Sequence, residues 1–209
     1  TLVDVNGDGK NDLVVGSYDG NTAENNNPYD GNIKVWLNSG SDTWPTEATG
    51  AANPFDGIDV GIEAKPTLVD VNGDGKNDLV VGNNVGNIKV WLNSGSDTWP
   101  TEATGAANPF AGIDVGTIAR PTSRSAPTLG DVDEDGFVDL VVGETYGEIK
   151  VWMNSGSNTW PTEATGAANP FAGIDAGGFA APTLVDVNGD GKNDLVVGNS
   201  AGNIKVWLN

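Results

Sequence analysis

Asp70-Val71-Asn72-Gly73-Asp74-Gly75-Lys76-Asn77-Asp78 runs directly into Leu79-Val80-Val81-Gly82. Oxygen-bearing side chains stand at the first, third, fifth and ninth places of this loop, and Gly75 stands at the sixth. The apolar run behind it is short and β-branched and ends at Gly, which reads as a strand and not as a helix. The same loop recurs three times. The candidate oxygens are Asp4, Asn6, Asp8 and Asp12; Asp70, Asn72, Asp74 and Asp78; Asp131, Asp133, Asp135 and Asp139; and Asp186, Asn188, Asp190 and Asp194. A cluster of hard oxygens at this spacing suits a cation that takes six or more oxygen ligands, calcium in preference to zinc. A motif present in every repeat describes an array of cation-stapled units better than a single active site.

Working outward, each loop sits in a longer unit. The unit opens on Thr-Leu-Val-Asp-Val, passes through the loop to Asp-Leu-Val-Val-Gly, and continues through Asn-Ile-Lys-Val-Trp-Leu-Asn. It closes on Thr-Trp-Pro-Thr-Glu-Ala-Thr-Gly-Ala-Ala-Asn-Pro-Phe. Copies begin at Thr1, Thr67, Thr128 and Thr183, which divides the chain into repeats 1–66, 67–127, 128–182 and 183–209. Repeat 1 carries a long insertion within 17–32, and repeat 2 a shorter one near 117–126. Three strands per copy are predicted, with a weaker fourth near Trp-Pro-Thr-Glu whose Pro restricts it to a sheet edge. The expected fold is all-β: a β-propeller-like array of four four-stranded blades, the last incomplete, with the cation loop between the first and second strands of each. Such units cannot bury both faces alone, which is why they come in arrays.

The formal charge is −19, from 29 acidic and 10 basic residues, and the loop Asp residues supply close to half of the acids. A nucleic-acid partner or an anionic membrane surface needs a basic face, so both are disfavoured, and no membrane-inserting run is visible. There is no Cys to form a disulfide. Cation loops supply another staple, and extracellular modules of this general kind bind calcium at about 10⁻⁴ to 10⁻³ M. That places the protein outside the cell or on its surface. No signal peptide is visible and the first residue is not Met, which suggests a processed or truncated product.

The stretch Pro-Thr-Leu-Val-Asp-Val-Asn-Gly-Asp-Gly-Lys-Asn-Asp-Leu-Val-Val-Gly resembles the FG-GAP or VCBS repeat of integrin-α-type β-propellers. The resemblance covers all four copies. It implies one Ca²⁺ per repeat, about four in all. The ligands it implies are the oxygens already named, joined by the main-chain carbonyls of Lys10, Lys76, Phe137 and Lys192. Two other calcium loops fit less well. An EF-hand requires Glu at the twelfth position and flanking helices, but Val15, Val81, Val142 and Val197 stand there. A dockerin shares the opening of the loop but also requires a following helix, which Val-Val-Gly does not form. Family propellers usually have more blades. An unfinished strand edge is an association surface, so either neighbouring repeats of a longer chain or another subunit is expected to cover it.

Trp36, Trp91, Trp152 and Trp207 lie in third strands and are expected to pack between blades. Trp44, Trp99 and Trp160 lie nearer the rim, where packing is again the expected role and stacking on sugars the competing one. The two insertions, with Tyr18, Asp19, Glu24, Tyr29 and Asp30 in one and Arg120 and Arg124 in the other, are expected to share one face. They are either a binding site or ordinary loop variation. The chain has neither His nor Cys. The most obvious base and nucleophile are therefore missing, and no catalytic role is expected. The reading is a calcium-stabilised extracellular repeat protein with a structural or adhesive role. It is part of a larger surface protein or the subunit of an extracellular filament. Self-association is its expected contact, with a glycan or surface protein as a further partner. The alternative is a lectin-like module binding carbohydrate or protein.

Overall fold

A computed structural model describes residues 1–18, 31–40, 46–95, 101–113, 115, 124–156, 160 and 162–209. Most of both insertions, together with Trp44 and Trp99, lies outside these residues. Among the described residues there are fifteen strands: β1 (Leu2–Val3), β2 (Asp12–Gly16), β3 (Ile33–Trp36), β4 (Glu47–Ala48), β5 (Lys65–Val69), β6 (Asp78–Gly82), β7 (Ile88–Trp91), β8 (Glu102–Ala103), β9 (Ala126–Gly130), β10 (Asp139–Gly143), β11 (Ile149–Trp152), β12 (Glu163–Ala164), β13 (Ala181–Val185), β14 (Asp194–Gly198) and β15 (Ile204–Trp207). They form four antiparallel up-and-down sheets in chain order: β1 to β4, β5 to β8, β9 to β12 and the three-stranded β13 to β15. The all-β, blade-type architecture with a shortened last sheet is the one expected from the sequence. No helix among the described residues is long and apolar enough to cross a membrane.

Two details differ from the sequence reading. The first strand begins two residues earlier than expected, at Lys65-Pro66, Ala126-Pro127 and Ala181-Pro182, and stops before the loop Asp. Its Pro is tolerated because this strand is the edge of its sheet. The fourth strand is only two residues long and starts after the Trp-Pro pair, at Glu47, Glu102 and Glu163. Beyond it lies a single 3-10 turn, at Gly50–Ala52, Gly105–Ala107 and Gly166–Ala168.

The chain forms two compact units, Thr1–Asn84 with Lys89–Asn108, and Val85–Ile88 with Pro109–Asn209. In the first unit, Val14, Ile33, Val35, Phe55, Leu79, Val81 and Trp91 form one apolar core. In the second, Val141, Ile149, Val151, Leu195 and Val197 do the same, with Phe171 and Trp207 packed against them. The second strands β6 and β10 are buried along their whole length. That burial explains why Leu-Val-Val does not alternate with polar residues as a half-exposed strand would.

Gly16 and Gly143, at the ends of β2 and β10, are required by close approach and not by an unusual backbone angle. A Cβ on Gly143 would run into the carbonyl oxygen of Ala180 and stand 2.6 Å from Cδ of Pro182. A Cβ on Gly16 would meet the carbonyl of Ala64 in the same way.

Candidate metal loops

Each acidic loop lies between the first and second strands of its sheet and is wound around its own first carboxylate. Asp4 Oδ1 accepts the N–H groups of Asn6, Gly7 and Asp8, and Oδ2 accepts that of Gly9 at 2.7 Å. Asp70 and Asp186 repeat this pattern, with Gly75 and Gly191 donating at 2.7 and 2.8 Å. Asp131 accepts from Asp135 and Gly136. The sixth position is left-handed in all four loops, with φ of 83°, 84°, 91° and 86° at Gly9, Gly75, Gly136 and Gly191, so Gly is the residue that fits. The N–H groups of Gly191 and Gly189 hold the Asp186 carboxyl below the usual carboxylate range. For Asp4, desolvation pushes the other way but is outweighed by its four N–H donors.

The ninth residue is different. Asp12, Asp78, Asp139 and Asp194 are fully buried at the start of the second strand. Asp12 Oδ2 accepts the N–H of Val5 at 3.1 Å, and Oδ1 accepts that of Asn38 at 2.7 Å. Asp78 bonds Val71 and Asn93, Asp139 bonds Val132 and Asn154, and Asp194 bonds Val187 and Asn209 in the same way. One carboxylate thus ties the end of the first strand to the end of the third.

Desolvation raises the Asp78 carboxyl to about 6, against two N–H donors that lower it, with the charges of Asp74 and Asp70 adding to the rise. Asp139 is raised by the same burial, with Asp133 and Asp135 contributing. Asp133 is raised by desolvation and then by the charge of Asp135.

The third loop brings three of its proposed ligands together. Oxygens of Asp131, Asp133 and Asp139 all lie within 4.8 Å of one another. At the third position the other loops carry Asn6, Asn72 and Asn188, so their cluster holds one carboxylate fewer. The fifth-position carboxylate has a main-chain partner within the loop: Asp8, Asp74, Asp135 and Asp190 each accept the N–H of the seventh residue at 2.9 to 3.0 Å. Asp8 and Asp74 also face the ammonium groups of Lys10 and Lys76, at 3.6 and 3.9 Å. Lys192 instead reaches Glu134 of the third loop at 2.6 Å, and Asn193 Nδ2 donates to the Asp131 carbonyl at 3.1 Å. Three converging hard oxygens, two of them held above their ordinary pKa by burial and by neighbouring carboxylates, fit a divalent oxygen-seeking cation.

The families that match are described as the FG-GAP-like repeat, over residues 70–142 and 131–197, and the FG-GAP repeat, over residues 1–36. The chain belongs to the FG-GAP repeat family. The FG-GAP chain is also similar to integrin alpha-7 of Rattus norvegicus, 31% identical over 151 residues that cover 64% of this chain and 12% of that protein. Human integrin alpha-IIb is 29% identical over 153 residues, covering 63% and 14%. Human integrin alpha-6 is 27% identical over 179 residues, covering 77% and 14%. The FG-GAP chain therefore spans about one-eighth of the length of these relatives.

One set of supporting residues was not singled out from the sequence. Asn38, Asn93 and Asn154 follow the third strand, and each sends its main-chain N–H to the ninth-position Asp. Each also sends its side-chain N–H back to the eighth-position carbonyl, of Asn11, Asn77 or Val138, at 3.2 to 3.3 Å. The recurrence of Asn two places after each third-strand Trp was the available signal.

Among the rim residues, Trp160 is buried against Phe110, with ring centroids 4.8 Å apart and tilted by 57°. That contact is packing, as expected. Arg124 lies over the Phe179 ring at 3.9 Å.

Proposed function

We propose that this FG-GAP chain is a non-catalytic, extracellular, calcium-stabilised module with a structural or adhesive role. It acts as part of a larger surface protein or as the subunit of an extracellular filament. The observation that carries the reading is the convergence of Asp131, Asp133 and Asp139 in a loop whose plan is shared by all four copies. The likeness to integrin alpha chains supports adhesion outside the cell.

Asp4, Asn6, Asp8, Asp12 and the Lys10 carbonyl are the proposed ligands in the first loop. Asp70, Asn72, Asp74, Asp78 and the Lys76 carbonyl serve in the second. Asp131, Asp133, Asp135, Asp139 and the Phe137 carbonyl serve in the third, and Asp186, Asn188, Asp190, Asp194 and the Lys192 carbonyl in the fourth. Calcium supplies positive charge where these oxygens crowd. The chain supplies the rest: backbone N–H groups fix the first carboxylate, and the buried ninth-position Asp carries the loop's geometry into the strand ends.

Calorimetric titration of the chelator-treated protein tests this directly. The expected result is uptake of about four Ca²⁺, with magnesium a weaker ligand because it demands a tighter octahedron. No calcium uptake at millimolar concentration contradicts the reading.

The same titration repeated against pH has a predicted sign. Asp78 titrates near pH 6 in the metal-free fold, so protons compete with calcium for its carboxylate. Calcium affinity of that loop should weaken as pH falls through about 6. In the metal-free protein the folded-state pKa lies above the ordinary value of 3.8. The contribution of Asp78 to stability is therefore present below pH 3.8 and is lost as pH rises toward 6. Urea unfolding at several pH values in chelator, compared with Asp78→Asn, measures it.

A second reading rests on a cleft of about 450 Å³ bordered by Tyr146, Lys150, Glu163 and Asn169. Its exposed tyrosine and mixed polar wall are the features a carbohydrate-binding module would use.

A further inference from the structure

The four acidic loops differ at their fourth position, where no ligand is proposed. Gly7, Gly73 and Gly189 stand there in the first, second and fourth loops, with φ of 75°, 78° and 83°. Glu134 stands there in the third, and its φ of 63° is left-handed as well. A side chain in this region is uncommon and strained, and an outlier of this kind points to a use for the side chain.

The Glu134 carboxylate reaches out of its own loop. Its Oε1 lies 2.6 Å from Nζ of Lys192, the seventh residue of the fourth loop. The two loops are held side by side here. Asn193 Nδ2 donates to the Asp131 carbonyl at 3.1 Å, and β9 lies against β13. A Cβ on Gly130, the residue ahead of the third loop, would stand 2.9 Å from Cδ1 of Leu184 and 3.3 Å from Nδ2 of Asn193.

In the other Lys-bearing loops the same lysine has a different partner. Lys10 Nζ lies 3.6 Å from Asp8 Oδ2, and Lys76 Nζ lies 3.9 Å from Asp74 Oδ2. Asp8 and Asp74 are proposed ligands, and an ammonium beside a ligand carboxylate repels an incoming cation. In the fourth loop the equivalent oxygen, Asp190 Oδ2, accepts the neutral side-chain amide of Asn188 at 3.0 Å. Glu134, by hydrogen bond and by charge, holds the Lys192 ammonium above the ordinary lysine range, and Asp190 contributes less. Loops one, two and four carry the same Asp-Asn-Asp-Asp set and the same Lys, so their own residues do not account for this difference.

We propose that Glu134, itself no ligand, sets the cation affinity of the next repeat's loop: it draws Lys192 off Asp190 and so leaves the fourth loop a stronger calcium site than the first or second. This rests on the calcium reading and adds to it a control exerted by one repeat on its neighbour. The effect is electrostatic and lies at the surface, so it should fade as salt screens it.

The test is a calcium titration of the isotope-labelled full chain at low ionic strength, followed by NMR at the amides of Gly9, Gly75 and Gly191. Each donates to the first carboxylate of its own loop, at 2.7, 2.7 and 2.8 Å, and so reports that loop. In the parent, Gly191 should reach its midpoint at the lowest calcium of the three. Glu134→Gln should move that midpoint about threefold to fivefold higher, the scale of one exposed charge pair, and leave Gly9 and Gly75 where they were. Glu134 is exposed, so the substitution leaves folding intact. In a protein carrying Lys192→Gln, Glu134→Gln should no longer move Gly191, which separates restraint of the lysine from the general field of a carboxylate. A Gly191 midpoint indifferent to Glu134→Gln overturns the proposal, as does a shift of full size in the Lys192→Gln background. In both cases calcium still moves the glycine amides, so the calcium reading stands. Amides that do not respond to calcium at all overturn both.

Discussion

Asp139→Ala is expected to destabilise the second unit by about 2 to 5 kcal/mol in urea unfolding, even in excess chelator. Asp139 is fully buried, and its two oxygens accept the N–H groups of Val132 at 2.9 Å and Asn154 at 2.8 Å. Alanine leaves both donors inside the protein without their acceptor, and a buried unsatisfied group costs about 1 to 3 kcal/mol. Relief of the desolvation that raises this carboxyl works the other way and keeps the loss from being larger. In calcium the deficit should grow, because the same substitution removes a proposed ligand. Asp133→Ala separates the two roles. That exposed carboxylate accepts the Asp135 N–H at 3.3 Å, at the edge of a loop and in solvent. Its loss should leave chelator stability within about 0.5 kcal/mol of the parent, as surface changes do, while weakening calcium binding. Equal behaviour of the two variants would contradict the division of labour within the loop.

Gly143→Val and Gly198→Val should differ sharply although they alter the same place in adjacent repeats. At Gly143 a Cβ collides with the main chain of Ala180 and with Pro182, neither of which is the free end of a flexible side chain. Overpacking of this kind costs about 1 to 3 kcal/mol and more where backbone must move, so a loss of about 3 kcal/mol or more is expected. At Gly198 nothing lies within 4 Å of the added Cβ. Val there is expected to change stability by no more than about 0.5 kcal/mol. Thermal melts of the two variants side by side make the comparison, and equal losses would show that the glycine serves something other than the close contact.

The repeats, the strands and the loops were legible because their signals are local. Ligand spacing lies within nine residues, and Leu-Val-Val-Gly and Ile-Lys-Val-Trp carry their β-branched composition openly. The roles of Asn38, Asn93 and Asn154 were not legible, because each depends on a third strand returning to lie beside a loop far back in the chain. Gly143 looked like a strand terminator. Its requirement appears only when the Ala180 carbonyl is brought against it. The early start of the first strand was obscured by Pro66, Pro127 and Pro182, because Pro fits a strand only where that strand is an edge, and the sheet order is not written in the local sequence. Val5, Val71 and Val132 were read as strand residues. They are buried, but the N–H of each goes to an Asp carboxylate instead of a neighbouring strand. Loop one and loop three look equivalent by spacing, yet Asp133 in place of Asn6 gives the third loop its convergent carboxylates.

The most direct test of the central claim, that a cation in each loop staples the fold, is thermal unfolding in millimolar calcium and again in excess chelator. At free calcium about ten times Kd each site contributes about 1.4 kcal/mol, and four contribute about 5 to 6. In a chain of this size that corresponds to a melting temperature about 10 to 20 °C lower in chelator. A drop of this order, reversed by restoring calcium, is the predicted result. Superimposable melting curves would contradict the account.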